Sequence, residues 1–293
     1  MCSAASPEVA WTNLPGDLFE GVETAAPAPP LVDAPPEVSC GGPRAFSRAR
    51  GVEPLVMRGL ASHWPATARW ANRGAIASLS ADGDDPVLVL RSKDEDRFLK
   101  RDCDHELWPL AHVCTHLEGG HGAPIYARAP LTERVRADCD LLVFAELMGQ
   151  QPKLANCGLW LGSAGNITPF HYDLCHGFLV QLVGRKTFHF VEPEQWRCLY
   201  PREHSPELAS LDFERWRGAR GAEAERLERQ RHARFARARV HSVTLEPGDV
   251  LYTPPYWWHH VETSPSGPAA SVLVPFDQSD AERAVHNVCH HFS

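Results

Sequence analysis

The fold of this chain is decided by two stretches: residues 161–173, which read LGSAGNITPFHYD, and residues 248–260, which read GDVLYTPPYWWHH. The first ends in a His-x-Asp pair, His171 and Asp173, and the second contains His259. Residues two apart in a strand point to the same side of a sheet, so both members of the pair could reach one metal ion. The turn and β run of the second stretch predict a neighbouring strand that delivers His259 to the same ion.

This set of donors has a definite chemistry. Two neutral imidazoles and one carboxylate can cap one face of an octahedral Fe(II) and leave three positions open for a co-substrate and O₂. A His-x-Asp pair also arises often by chance, and the alternative for His171 is a hydrogen-bonded histidine of the surface or core. The flanking sequence therefore has to decide between a metal centre and an ordinary pair.

Four motifs surround the candidate ligands: residues 161–173, Gln181–Lys186, Cys198–Pro201 and residues 248–260. Together they resemble the JmjC or cupin-like Fe(II)- and 2-oxoglutarate-dependent oxygenases. Within that family they are most similar to the branch of the asparaginyl hydroxylase that acts on hypoxia-inducible factor. The resemblance spans roughly residues 45–277. It implies a mainly β fold with flanking helices, the double-stranded β-helix or cupin-like jelly roll of JmjC type.

The resemblance also implies roles for individual residues. The His-x-Asp pair and His259 would bind iron and form the catalytic set. Lys186 would pair with the distal carboxylate of 2-oxoglutarate, and Thr168 and Tyr126 would donate hydrogen bonds to it. A buried dianion is costly unless a cation and hydroxyl donors meet it. The ordinary alternatives are a solvated strand-end lysine, a β-favouring threonine and a packed tyrosine.

Two positions depart from the pattern of that branch. Gly177 and Pro275 stand where the branch carries asparagines near the cofactor. Two polar contacts are therefore expected to be missing, which leaves the cofactor affinity and the substrate open. The neighbouring Cys175 and His176 are expected to have supporting or neutral roles.

The chain is expected to have two parts. Residues 1–44 are rich in proline and alanine and predict a flexible extended segment. Residues 45–293 would form the oxygenase domain, with a β core at about 160–277 and a basic helical insertion at about 207–239. Residues 214–239 hold nine arginines and four glutamates, which indicate a helix laced with charge pairs. It would be either a solvated exterior helix or a positive surface for an acidic protein segment or RNA.

Local patterns predict further elements. Val87–Leu90 is expected to be a strand, and Leu131–Gly149 is expected to contain a helix. Two apolar runs, Phe178–Val183 and Thr187–Val191, flank Gly184 and predict a tight hairpin. After the β core only one short helix fits, so a helical dimer of the asparaginyl hydroxylase type is not expected.

Composition limits the functional classes. The chain has 293 residues and a net charge of −8, which gives no case for DNA or membrane binding. No apolar stretch approaches the roughly 18 residues of a membrane span, and no secretory signal is apparent. The nine cysteines are dispersed without a Cys-x-x-Cys pair, so a disulfide framework is not expected. A cytoplasmic or nuclear location is predicted.

The sequence thus predicts a 2-oxoglutarate-dependent dioxygenase that uses Fe(II) and O₂, with ascorbate as a candidate reductant. The leading hypothesis is hydroxylation of a protein or peptide side chain with release of succinate and CO₂. Hydroxylation of a modified tRNA base and N-methyl demethylation are alternatives. A cupin that uses no 2-oxoglutarate would show a His-x-His frame, which is absent around His171. A non-catalytic cupin-like binding module remains as the alternative of another class.

Overall fold

The computed structural model describes residues 39–70, 86–93, 96–120 and 122–283. Residues 1–38 of the predicted flexible segment lie outside this part of the chain. The described residues form fifteen strands: β1 (Ser39–Cys40), β2 (Leu55–Met57), β3 (Pro86–Ser92), β4 (Cys103–Pro109), β5 (Ile125–Pro130), β6 (Gly158–Gly162), β7 (Ile167–His171), β8 (His176–Val183), β9 (Lys186–Val191), β10 (Pro201–Arg202), β11 (Ser205–Ala209), β12 (His241–Leu245), β13 (Val250–Thr253), β14 (Trp258–Thr263) and β15 (Ala269–Phe276).

Helices precede, connect and cover these strands. Within the described residues they are α1 (Pro43–Ala49), α2 (Pro65–Arg69), α3 (Leu110–Gly119), α4 (Glu133–Ala137), α5 (Leu142–Met148), α6 (Trp196–Leu199), α7 (Phe213–Trp216) and α8 (Ala222–Arg231). The predicted strand at Val87–Leu90 is confirmed as part of β3. The helix predicted within Leu131–Gly149 is divided into α4 and α5. None of the described helices has the length and apolar character needed to cross a membrane.

Two sheets face each other. One has nine strands in the order β1-β2-β13-β8-β15-β6-β5-β3-β4, and the other has six in the order β10-β11-β7-β14-β9-β12. From β6 to β9 and from β12 to β15 the chain supplies eight strands, four to each sheet. The predicted double-stranded β-helix is therefore confirmed. Strands β3, β4 and β5 widen the first sheet beyond the predicted β core.

The predicted hairpin at Gly184 is wrong, because β8 and β9 lie in different sheets. β8 pairs with β13 and β15, whereas β9 pairs with β12 and β14. Alternating apolar residues mark a strand without naming its partner, so the pattern alone could not exclude a crossing between sheets. Gly184 adopts φ +66° where the chain passes from one sheet to the other.

Gly184→Ala is expected to destabilise the domain. A Cβ at this position would collide with the carbonyl oxygen of Pro268 and lie 3.3 Å from Cα of Ala269. Because this collision adds to the strain of a side chain at positive φ, we expect the free energy of unfolding to fall by about 2–4 kcal/mol. Thermal unfolding should show a melting temperature lower by roughly 4–16 °C. Gly267→Ala is the matched control, since no atom lies within 4 Å of a Cβ there. Equal melting temperatures for the two variants would contradict the prediction.

Four apolar clusters are buried among the described residues, and three of them mark the layers of the domain. The largest packs the nine-stranded sheet against α1–α5 and includes Trp64 and Phe178. The second fills the space between the sheets and includes Phe188 and Phe190. The third includes Phe213 and covers the outer face of the six-stranded sheet. The inner faces of the two sheets therefore form a layer that is separate from the two outer layers.

The prediction of one continuous basic helix over residues 214–239 is wrong, because the region is divided into separate segments. The region contains the end of α7, then α8 and a 3₁₀ turn at Ala233–Arg237. Gly218 and Gly221 have φ of +85° and +94°, which interrupts the helix between α7 and α8. The predicted start of the insertion also falls within β11, so residues 207–209 belong to the six-stranded sheet.

Most arginines of this region are paired within the protein. Six of the nine form ion pairs with carboxylates: Arg215, Arg217, Arg220, Arg226, Arg229 and Arg239. Their charge is therefore largely compensated within the protein. This favours a solvated segment on the barrel exterior, called the covering segment below (residues 214–239), over a positive docking surface.

Candidate metal and co-substrate site

A β-bulge brings the predicted residues of β7 to the inner face of the barrel. β14 pairs His259 with His171 and Val261 with Thr168, so two steps on β14 match three steps on β7. The extra residue lets Thr168 and His171 face the same side although they are three apart. Pro169 lies within the bulge, where the missing N–H of proline is tolerated.

The three predicted ligands lie together at one end of the barrel. His171, Asp173 and His259 each offer a ligand atom within 4.8 Å of the others. The two imidazole ring centroids are 4.2 Å apart, and Nε2 of His259 is 4.0 Å from Oδ2 of Asp173. Such spacing leaves room for one shared cation between the three donors.

Backbone carbonyls orient both imidazoles. Nδ1 of His171 lies 2.9 Å from the carbonyl oxygen of Pro169, and Nδ1 of His259 lies 3.0 Å from that of Trp257. A carbonyl only accepts, so each Nδ1 carries the proton and each Nε2 keeps its lone pair for a metal. Burial lowers the pKa of His259 to about 4, and the nearby His171 acts in the same direction. The ring is therefore neutral at physiological pH, as a metal ligand must be.

Asp173 is placed by a loop rather than by the strand that the spacing predicted. β7 ends at His171, and the side chain of Asp173 is 49% exposed. The carbonyl of Asp173 accepts a hydrogen bond of 2.9 Å from the backbone N–H of Tyr256, which has φ +66°. A non-glycine residue with such a φ is costly, and residues of this kind cluster at active sites and ligand-binding regions. Here the hydrogen bond from Tyr256 fixes the loop that carries Asp173, the only carboxylate among the three donors.

Lys186 is the most unusual residue of the barrel interior. It shares the inward face of β9 with Phe188 and Phe190, and it is only 1% exposed. Among the described residues no carboxylate forms an ion pair with it, and burial lowers its pKa to about 7. A buried ammonium group without a counter-ion is unfavourable unless an anion joins it. The interior therefore offers a position for an anionic ligand.

Tyr126 meets Lys186 from the opposite sheet. Its hydroxyl is 3.4 Å from Nζ of Lys186, and its ring centroid is 5.3 Å from the same atom. Register places Thr168 between this pair and the ligand set, because β14 opposes Thr168 at Val261 and Lys186 at Thr263. Measured along β14, Thr168 is thus one inward-facing position from His259, and Lys186 is two.

One nearby residue was not predicted from the sequence. Trp160 lies on β6 with its ring 4.9 Å from that of Tyr126, and its buried Nε1–H has no hydrogen-bond partner among the described residues. A buried unpaired donor is rare in folded proteins and suits a polar ligand at this place. The alternation of β6, with Leu159 and Leu161 in the outer core, could have indicated that Trp160 points inward.

The two departures from the asparaginyl hydroxylase pattern lie directly opposite each other. Gly177 on β8 pairs with Pro275 on β15. A Cβ at Gly177 would meet only Leu273, at 3.6 Å, so the position has room for a larger side chain. The missing polar groups therefore leave an apolar wall on this side of the interior.

The donor set fits a hard-to-borderline divalent ion. Two neutral nitrogens and one carboxylate on one side, with an open loop beside them, match a facial triad with vacant positions. Lys186, Tyr126 and Thr168 fit an anionic co-substrate that reaches from this triad into the barrel.

Comparison with known proteins gives relatives at moderate identity. Jumonji C domain-containing protein 5 of Drosophila melanogaster is 24% identical over 224 residues, covering 72% of this chain and 52% of that protein. Lysine-specific demethylase JMJ30 of Arabidopsis thaliana is 24% identical over 217 residues, covering 72% and 47%. HSPB1-associated protein 1 of Bos taurus is 40% identical over 106 residues, covering 36% and 20%.

The chain spans about half the length of the first two of these relatives and less of the third. A family description, that of the cupin-like domain, matches residues 48–282 and so covers most of the chain. The match includes every strand except β1 and every predicted site residue. On this evidence the chain belongs to the family of cupin-like domains, and its relatives include proteins with a Jumonji C domain.

Proposed function

We propose that this chain is an Fe(II)- and 2-oxoglutarate-dependent oxygenase that hydroxylates a protein side chain. The observation that carries the proposal is the buried Lys186, a cation without a carboxylate partner in the described residues, in the same barrel as the His171, Asp173 and His259 set. A single anionic co-substrate of the 2-oxo acid class would satisfy both features at once.

The residues divide the work between binding and orientation. Bound iron would supply the redox chemistry that couples loss of CO₂ from 2-oxoglutarate to oxidation of a substrate C–H bond. Lys186 neutralises the distal carboxylate of the co-substrate, and the hydroxyls of Tyr126 and Thr168 donate hydrogen bonds to it. The apolar residues around them, such as Phe188, exclude water from this part of the barrel.

The rim of the site favours a peptide over a nucleic acid. Leu174 follows Asp173 directly and is 63% exposed, and the rings of Tyr172 and Tyr256 lie 5.7 Å apart beside it. An apolar and aromatic rim suits a protein side chain. RNA would instead require unpaired cations for its phosphates, and six arginines of the nearby covering segment are already paired. Hydroxylation of a tRNA base is therefore the weaker alternative.

N-methyl demethylation is the second candidate reaction. Two relatives are named lysine-specific demethylases, one from Arabidopsis thaliana and one from Xenopus tropicalis, each at 24% identity. Demethylation begins with hydroxylation of an N-methyl carbon, so the same site could perform it. Only the product separates the two reactions.

The test is succinate formation by the purified chain with Fe(II), 2-oxoglutarate and ascorbate under air, first alone and then with peptide pools. Slow succinate release without substrate and faster release with one pool are the expected results. The mass of the product peptide then identifies the reaction. A gain of one oxygen atom indicates hydroxylation, whereas a loss of one CH₂ unit from a methylated peptide indicates demethylation.

A second measurement distinguishes an enzyme that shows no turnover without its substrate from a non-catalytic binding module. Equilibrium dialysis under nitrogen should show that 2-oxoglutarate binds only when Fe(II) is present. Absence of both turnover and Fe(II)-dependent binding would contradict the proposal and favour a non-catalytic cupin-like module.

A further inference from the structure

Two consecutive histidines of β14 serve opposite faces of the sheet. His259 points into the barrel, so His260 and Glu262 point outward, as side chains alternate along a strand. His189 on β9 is the cross-strand partner of His260 and shares its outer face. Glu214 of α7 covers this point from outside, which brings two histidines and two glutamates together away from the co-substrate site.

The atoms of this outer cluster lie close together. Nε2 of His260 is 2.8 Å from Oε1 of Glu214 and 3.7 Å from Oε1 of Glu262. Glu214, His260 and Glu262 each offer a ligand atom within 4.8 Å of the others. Nε2 of His189 donates a hydrogen bond of 2.8 Å to Glu262, and Arg217 lies 2.8 Å from the same oxygen. Both contact the same oxygen that faces His260, so they fix the position of this carboxylate.

The two most buried members have unsatisfied polar atoms. His260 and Glu214 are almost fully buried. Nδ1 of His260 and Oε2 of Glu214 have no hydrogen-bond partner among the described residues. Nε2 of His260 and Oε1 of Glu214, in contrast, form a close ion pair at 2.8 Å. Two ligand atoms of one tetrahedral ion, each about 2.1 Å from it, would lie about 3.4 Å apart. This value falls between the distances of 2.8 and 3.7 Å from Nε2 of His260 to Glu214 and Glu262.

The surroundings would keep such an ion dry. The rings of Phe170 and Phe213 lie 5.3 and 5.2 Å from that of His260. Arg217 pairs with both carboxylates, at 3.9 Å from Glu214 and 2.8 Å from Glu262, and a divalent ion would compensate the negative charge that one guanidinium leaves on the two glutamates. Imidazole and carboxylate ligands in a compact, closed set suit Zn²⁺ better than the oxygen-seeking Mg²⁺ or Ca²⁺.

We propose that Glu214, His260 and Glu262 form a second metal site, of the Zn²⁺ class, on the outer face of the six-stranded sheet. The ion would join α7 to β14, the strand that carries His259. The covering segment would thereby be fastened directly behind a ligand of the catalytic ion. This role is structural and does not depend on the reaction performed inside the barrel.

The test measures zinc rather than turnover. A background variant, His171→Ala with Asp173→Ala, lacks the inner site and should retain one Zn²⁺ per chain after dialysis, measured by native mass spectrometry and elemental analysis. Adding Glu214→Gln should weaken zinc binding by more than about 100-fold, because a direct ligand counts for more than the supporting residues that cost 10- to 100-fold. Glu225→Gln is the matched control, since this glutamate is paired with Arg229 on the surface of α8.

Two results would overturn the proposal. One is a folded background variant, judged by circular dichroism, that binds no Zn²⁺. The other is zinc binding that survives both Glu214→Gln and Glu262→Gln. If the background variant fails to fold, the unmodified chain titrated with Zn²⁺ decides instead: two bound ions, reduced to one by Glu262→Gln, support the site. A single ion unaffected by Glu262→Gln would leave the cluster as a buried His260–Glu214 ion pair.

Discussion

Asp173→Ala is expected to lower Fe(II)-dependent succinate formation by more than about 100-fold, which exceeds the usual effect of removing a residue that merely supports a ligand. Asp173 supplies the single carboxylate of the three donors, and its loss leaves two neutral imidazoles for a divalent ion. Its side chain is 49% exposed, so the free energy of unfolding should change by no more than about 0.5 kcal/mol. Succinate release and thermal unfolding of the same preparation check both expectations.

A matched aspartate separates loss of the metal from loss of charge. Asp104 is exposed on β4 and paired with Lys93 at 2.9 Å, far along the chain from the site. Asp104→Ala should retain the turnover of the parent. Turnover of Asp173→Ala within a few-fold of the parent would contradict the assignment of this residue as a ligand.

The sequence predicted the candidate metal site better than the path of the chain. The β run predicted after Gly248 is β13, which belongs to the other sheet, and His259 lies on the following strand, β14, beside β7. His171 and Asp173 were predicted to reach one ion because they are two apart in sequence. Local spacing was enough for that prediction. The use of a bulge for Thr168 and a loop for Asp173 was not predictable, because both depend on how β7 meets β14.

Other features depended on contacts distant in sequence. The runs on either side of Gly184 are equally apolar in a hairpin and in a crossing between sheets, and the strands that pair with them, β12 to β15, come from much later in the chain. Likewise, the outer cluster joins Glu214 to His260. The charge pattern of the insertion gave no sign that one of its glutamates would be buried.

Lys186→Met is expected to weaken binding of 2-oxoglutarate strongly while leaving the domain folded. Leaving a buried anion without its partner costs about 3–5 kcal/mol, which corresponds to roughly 100- to 5,000-fold in affinity. Tyr126→Phe removes one hydroxyl at 3.4 Å and should cost only about 1 kcal/mol. Equilibrium dialysis of labelled 2-oxoglutarate with Fe(II) under nitrogen measures both variants. Equal affinities for Lys186→Met and the parent would contradict the role of this lysine.

The same substitution should have the opposite effect on stability without ligand. Burial lowers the pKa of Lys186 from 10.5 to about 7, so between these pH values the unfolded chain binds a proton that the folded chain does not. The parent therefore loses stability as pH falls from 10.5 towards 7, and a methionine removes this dependence. Near pH 7 the unliganded variant should unfold at a higher temperature than the parent.

Binding of 2-oxoglutarate should accordingly take up a proton. Above pH 7 most Lys186 side chains of the free protein are neutral, and the bound carboxylate favours the protonated form. Affinity should then fall as pH rises through 7, by up to about tenfold per pH unit. Calorimetry in two buffers of different ionisation enthalpy measures the proton uptake directly.

The Lys186→Met variant should show no proton uptake, whereas Tyr126→Phe should retain it, because the hydroxyl contributes a hydrogen bond and the lysine contributes the charge. Proton uptake that persists in Lys186→Met would assign the titration to another group and remove the argument that this buried cation is the anchor of the co-substrate.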